Sequence, residues 1–356
     1  MIKIAVDAMG GDYAPGVVVE GVADSLFEFP EFEIVLVGHS KKISYYLEKY
    51  GIANHPRLQV VHADTVVEMR EPSTSSIRNK KDSSITVAAK LLKEKKVDAF
   101  VTPGHTGATL AATKVLVRTL PGVNRPALAA NMPSQKSRFI VIDAGANTEV
   151  TALNLAEFAI MGSIYAEFMY GIENPPVGLL SVGGEDSKGN DLTKEAFGML
   201  EHAPINFMGN IEANTVFEGT CKVLVADGFT GNVFLKCSEG LAKSVSCWLK
   251  AVFTKNLIRM AGGYLNKTAF RELKDYGNPE LQGGAPLLGL NGVCIIGHGS
   301  STPLAVKNAI KLAGECIKFG INQKITDKVR IFHETMEQLK NKNSEENVDN
   351  SQNIQE

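Results

Sequence analysis

The chain predicts an α/β protein, a mostly parallel sheet with helices on both faces. Short apolar runs without polar alternation, the pattern of strands buried on both sides, recur along its length. Segments of helical periodicity lie between them, and this alternation favours parallel pairing through crossover helices. The apolar runs also tend to stop at turns of Gly, Asp and Asn, in a chain that holds 33 glycines.

Residues 2–6 are the first expected strand, ending at Asp7-Ala8-Met9-Gly10-Gly11-Asp12. Pro15 suits the first turn of a helix running to residue 29, where its missing N–H costs nothing. Residues 33–37 form the second strand, with Ser40 as the N-cap of the next helix. Residues 58–61 form the third. A basic knot at 77–84 precedes a helix reaching residue 94. The strand at 99–102 is stopped by Pro103-Gly104-His105-Thr106-Gly107, ahead of a small-residue helix at 108–117. Residues 139–142 end in Asp143-Ala144-Gly145-Ala146-Asn147, then a helix spans about 154–170. Residues 177–181 lead into the polar loop 182–190 and a helix at 193–201. A strand at 205–208 follows. The run 223–226 stops at Asp227-Gly228, and Thr230-Gly231-Asn232 opens another helix. Residues 293–296 run into Gly297-His298-Gly299-Ser300-Ser301 and a helix at 303–319.

In a parallel sheet, loops leaving the carboxyl ends of strands share one edge, and ligands bind there. Six such loops are therefore expected to converge on one side. A strand, a small-residue turn and a helix start also aim backbone N–H groups at the positive end of a helix dipole, which suits phosphate. A tight connection without ligand is the alternative for any one turn.

Two segments depart from the pattern. Residues 241–276 carry apolar residues at helical spacing and seven basic residues against Glu272 and Asp275. Such a protruding amphipathic hairpin, holding the single Trp, suits a membrane surface through Trp248, Leu249, Phe253 and Leu257. Packing on the core or on a second subunit is the equal alternative. Residues 334–356 are polar and nearly free of large apolar side chains, so a disordered tail is expected after a catalytic unit at 1–325.

Composition narrows the classes. The chain has 356 residues, is 44% hydrophobic and 21% charged, and carries a net charge of −2, without the basic excess of a nucleic-acid protein. Five cysteines without C-x-x-C spacing read as reduced thiols, with no disulfide framework or metal site expected. The opening residues have neither a basic lead nor a long apolar run, so no signal peptide is expected. No apolar stretch reaches 18 residues. A P-loop, a G-x-G-x-x-G after the first strand, a G-x-S-x-G elbow and H-E-x-x-H are all missing. What remains suits a reaction whose attacking group belongs to a substrate.

Several stretches carry a resemblance together: residues 7–12 with Ala14-Pro15, the knot 78–84, Thr106-Gly107-Ala108, 143–147, Lys188-Gly189-Asn190, 227–232, Gly284-Ala285 with Gly289, and 298–301. Across residues 1–325 the chain resembles the bacterial phosphate acyltransferases, which make acyl phosphate from acyl-acyl-carrier protein for phospholipid synthesis. The resemblance implies a three-layer α/β/α fold like isopropylmalate dehydrogenases and phosphotransacetylases. It also implies a homodimer in the cytoplasm, associated with the inner membrane face beside a membrane-bound glycerol-3-phosphate acyltransferase. His105 and Cys237 depart from the family pattern.

Inorganic phosphate is already ionised near neutral pH, and a free thiol of pKa about 8.5 leaves readily as thiolate. The protein must then hold anionic oxygens near the carbonyl and stabilise the oxyanion. Lys188 and Asn232 are the candidates for charge and hydrogen bonding. His298 is a candidate acid for the leaving sulfur or a structural histidine. Asp227, Asp7 and Asp143 either cap turns or orient Lys188 and His298. Gly10, Gly11, Asp12, His105, Thr106, Gly107, Asn147, Gly189, Asn190, Gly228, Thr230, Gly231, Gly299 and Ser300 line the expected phosphate and substrate site. Arg78, Lys80 and Lys81 are either a solvated face or a dock for the acidic carrier protein. No resident cofactor is expected, since phosphopantetheine arrives on the carrier. A coenzyme A-dependent phosphotransacetylase, a decarboxylating dehydrogenase and a non-catalytic membrane scaffold are the competing readings.

Overall fold

The computed structural model describes residues 1–68, 71 and 79–352. Its strands are β1 (Ile2–Asp7), β2 (Phe32–Gly38), β3 (Leu58–His62), β4 (Ala99–Thr102), β5 (Ala127–Pro133), β6 (Arg138–Ile142), β7 (Pro176–Leu180), β8 (Asn206–Ile211), β9 (Val223–Val225), β10 (Ala285–Leu288) and β11 (Val293–Ile296). The helices are α1 (Gly16–Glu28), α2 (Ser40–Lys49), α3 (Ser84–Lys93), α4 (Thr106–Leu116), α5 (Ala152–Tyr170), α6 (Asp191–Leu200), α7 (Gly228–Phe253), α8 (Leu257–Leu265), α9 (Lys267–Tyr276), α10 (Pro303–Phe319) and α11 (Ile321–Gln352).

One 11-stranded sheet runs in the order β3-β2-β1-β4-β11-β10-β5-β6-β9-β7-β8. Most neighbours are parallel, as expected. The three pairings β11–β10, β10–β5 and β5–β6 are antiparallel. Three reversals leave β6, β9, β7 and β8 pointing opposite to β1, β2, β3, β4 and β11.

Helices cover both faces, giving three layers. On one face β1, β2, β4, β10 and β11 pack through Ala5, Val35, Phe100, Leu287 and Cys294 against α3 and α4. The first turns of α7 extend this layer over Phe139, Val141 and Leu224. On the other face α1, α5 and α10 bury a larger cluster that includes Ile4, Ile142, Phe158 and Ile310. Helix α5 is apolar nearly all round and, Leu153 aside, buried from Ala152 to Ala166, its start fixed by a Thr151–Asn154 capping box.

The structure departs from the sequence expectations in four places. Strands β5 and β10 are additional to the strands expected from the sequence. Ser40 is the first helical residue of α2, with His39 at the cap position; the Ser40 N–H donates to His62 Nδ1 at 3.2 Å. The polar stretch from Glu334, expected to be disordered, continues α11 to Gln352, because Ile325, Val329 and Phe332 anchor that helix in the core. In the hairpin, Trp248 and Leu257 are 62% and 82% exposed, whereas Leu249 and Phe253 are half-buried. Phe253 turns inward, edge-to-face on Phe270 at 4.9 Å.

Candidate functional site

The loops that sequence places on one rim form two groups at opposite edges of the sheet. The first follows β1, β4 and β11; the second follows β6, β7 and β9. Strands β10 and β5 stand between β11 and β6, so these two lie three spacings apart, about 14 Å. Opposite strand direction then separates the loops along the strands as well. His298 therefore does not share a reaction centre with Lys188, Asn232 and Asp227 within one chain.

In the first group the polar side chains bond mainly to one another. Asp7 is fully buried; one carboxylate oxygen accepts from Met9 N–H at 3.0 Å and the other from the Thr102 hydroxyl at 2.7 Å. Burial pushes its pKa up, against the pull of these hydrogen bonds. Thr102 Oγ1 in turn accepts from Gly104 N–H at 2.9 Å, and Asp12 N–H donates to Gly299 O at 2.7 Å. Gly10 lies against Asp7 and Gly104, and Gly11 against Gly299, so the three loops touch. His105 caps α4: Nδ1 accepts from Ala108 N–H at 3.3 Å, which makes Nε2 the donor to Glu71 O at 3.0 Å. Both ring nitrogens are engaged, so His105 is a structural cap, followed by exposed Thr106 and half-buried Gly107. His298 is exposed, its Nδ1 2.7 Å from Ser300 Oγ and accepting from Ser300 N–H at 3.2 Å.

In the second group Asp143 organises the turn. One oxygen accepts from the N–H groups of Leu128, Gly145 and Ala146 at 2.9–3.1 Å; the other accepts from the backbone and side-chain nitrogens of Asn147. Desolvation raises its pKa, and these donors oppose the rise. The start of α7 seats directly on this turn. A methyl group on Gly228 would collide with the Asn147 backbone, and one on Gly231 with the Asp143 carbonyl oxygen. Gly145 meanwhile lies against the Asn232 side chain. Asp227 caps α7, accepting from Thr230 N–H at 2.9 Å and from its hydroxyl at 2.6 Å. None of the three aspartates is hydrogen-bonded to Lys188 or His298 among the described residues, so the capping reading holds for all three and the orienting one does not.

Lys188 and Asn232 are exposed in this group. Lys188 forms no ion pair among the described residues; its N–H closes a turn on Glu185 O at 3.0 Å. Gly189 follows, and Asn190 caps α6 through Thr193 N–H at 2.9 Å. The basic knot divides: Lys80 donates to Val66 O at 2.7 Å and pairs with Glu71, while Lys81 is exposed. Lys80 therefore braces its own loop instead of presenting a free charge. Arg78 lies outside the described residues.

The chain matches known proteins along most of its length. The family model described as "Fatty acid synthesis protein" matches residues 2–324. A protein named phosphate acyltransferase from a Nitratiruptor species is 45% identical over 327 residues, covering 91% of this chain and 97% of that protein. Another of that name, from Geotalea daltonii, is 42% identical over 343 residues, covering 95% and 99%. Among solved structures, a phosphotransacetylase from Streptococcus pyogenes superposes with a TM-score of 0.59 at 19% identity, covering 89% of this chain and 94% of its own. The EutD phosphotransacetylase from Staphylococcus aureus gives 0.56 at 15%, covering 88% and 93%. At that identity the structural matches speak for the fold alone.

Proposed function

The chain belongs to the fatty acid synthesis protein family, and on that premise we propose that it transfers an acyl group from acyl-carrier protein to inorganic phosphate. A phosphate oxygen attacks the thioester carbonyl carbon, the carbon–sulfur bond breaks, and acyl phosphate and the carrier thiol are released for phospholipid synthesis. Phosphate is already anionic near neutral pH and a thiolate is a competent leaving group, so the chemistry needs position and charge more than a strong base.

The reaction is assigned to the edge of β6, β7 and β9. The supporting observation is that this edge presents an exposed lysine, Lys188, and a carboxamide, Asn232, on turns held by hydrogen bonds. Lys188 supplies charge to the phosphate, and Asn232 with the N–H groups opening α7 supplies fixed donors where the oxyanion develops. No resident cofactor enters this scheme.

Lys81 is assigned to docking the acidic carrier. The exposed apolar residues of α7 and α8 support two further assignments: Leu241, Val245, Trp248 and Val252, at heptad spacing, to a second copy, and Leu257 with Ile258 to a membrane surface. Among the described residues no helix is long and apolar enough to cross a membrane, so that contact is peripheral. The decisive assay is phosphate-dependent release of free thiol from acyl-acyl-carrier protein. Release without phosphate, or equal turnover of acyl-coenzyme A at the same concentration, would overturn the assignment.

A further inference from the structure

The Lys188 turn rests on a buried carboxamide from the neighbouring edge strand. Val177 pairs with Phe207 but Leu179 pairs with Asn210, so β8 carries one extra residue at this point. Gly209 takes a φ of +90° there, the conformation of a bulge glycine. The bulge breaks the two-residue alternation and sets Asn210, three positions after Phe207, on the same face as Phe207. Asn210 is only 9% exposed. Its Nδ2 donates to Glu185 O at 2.9 Å and, more weakly, to Lys188 O at 3.4 Å. These are the two carbonyls at the ends of the turn that presents Lys188.

Among the described residues, two buried atoms beneath this turn have no hydrogen-bond partner: Asn210 Oδ1 and Ser181 Oγ. A side chain at Gly189 would approach Ser181 Oγ to 3.3 Å, so that hydroxyl lies directly under the residue after Lys188. An orphaned buried polar group destabilises the fold, and native proteins keep few of them.

We propose that Asn210 and Ser181 are positioning residues for Lys188, whose orphaned oxygens gain their partners when the turn closes over a bound phosphate. This rests on the assignment of Lys188 to phosphate. The bulge aims the carboxamide, the carboxamide pins the turn, and the turn sets where the cation meets the anion.

The test uses the full-length protein with acyl-acyl-carrier protein and inorganic phosphate. Asn210→Ala is expected to raise the KM for phosphate about tenfold, the loss of roughly 1.4 kcal/mol, with the KM for the carrier within twofold. Combined with Lys188→Ala it adds nothing further. Ser181→Ala is expected to leave the unliganded melting temperature unchanged or higher and to shrink the rise produced by phosphate. Should Asn210→Ala fail to fold, Asn210→Ser, which keeps a hydroxyl donor, carries the same KM comparison. Equal changes in both KM values, additivity with Lys188→Ala, or an undiminished phosphate-induced rise in Ser181→Ala would each overturn the proposal. A silent Lys188→Ala would overturn the Lys188 assignment and this inference together, whereas a damaging Lys188→Ala beside a silent Asn210→Ala overturns this inference alone.

Discussion

The two edges of the sheet are built from the same vocabulary and differ in what they leave free. Behind β1, β4 and β11, Asp7, Thr102, His105 and Ser300 bond to neighbouring loop atoms. Behind β6, β7 and β9, Asp143 and Asp227 hold their turns in the same way, but Lys188 and Asn232 stay exposed on top of them. Glycine-rich turns at strand ends thus mark well-fastened loops in both places. An exposed cation on such a turn marks the place where an anion gains something by arriving.

The sharpest way to break this contrast is to compare Lys188→Ala with His298→Ala. The first should lower kcat/KM for phosphate about 100-fold, the order expected for loss of a fixed charge or donor at the reacting group. The second should change it less than about threefold, and equal losses would erase the distinction between the edges. Next is Asp143→Ala, which leaves the N–H groups of Leu128, Gly145, Ala146 and the buried Asn147 without their acceptor. It should cost about 3–5 kcal/mol in urea unfolding, and a loss below about 1 kcal/mol would show that the turn holds without it.

A smaller effect separates Lys81 from Lys80. Lys81→Glu should raise the KM for the carrier a few-fold at low salt and less at high salt. Lys80→Glu should lower the melting temperature through its broken contacts with Val66 and Glu71. The reverse pattern would return docking to Lys80. The smallest effect concerns Asp7, whose carboxyl burial pushes up. Between the ordinary carboxylate value and that raised value, the folded protein holds the proton more tightly than the unfolded chain. Wild type should therefore gain stability relative to Asp7→Asn as pH falls through that window, and a gain on raising pH would contradict the burial assigned to Asp7.

Much of the fold was legible because buried parallel strands announce themselves as unbroken apolar runs, as at residues 34–37 and 139–142. The two strands that escaped, β5 and β10, read A-L-A-A-N-M-P and A-P-L-L. Small residues and a proline in each give neither alternation nor a strong apolar run. They are also the strands that reverse the sheet, and without them two edges read as one and His298 falls beside Lys188. The likeness to phosphate acyltransferases was legible because its motifs are local. The engagement of His105, Lys80 and the aspartates was not, since it depends on partners such as Glu71 and Leu128 that other segments supply. Asn210 was equally hidden, because its orientation comes from a bulge.

Helix α7 is a 26-residue rod, about 39 Å long. Its foot is wedged on the Asp143 turn. Past its far end the hairpin comes back to the opposite edge, where the Tyr276 hydroxyl donates to Ser134 O at 2.6 Å. Whatever meets the apolar tip, the rod holds its two ends about 39 Å apart. Fields in physiological salt fade within about 8 Å, so the charge of a surface at the far tip is not felt at the foot. The two ends of one helix can then meet chemically unrelated neighbours without either disturbing the other.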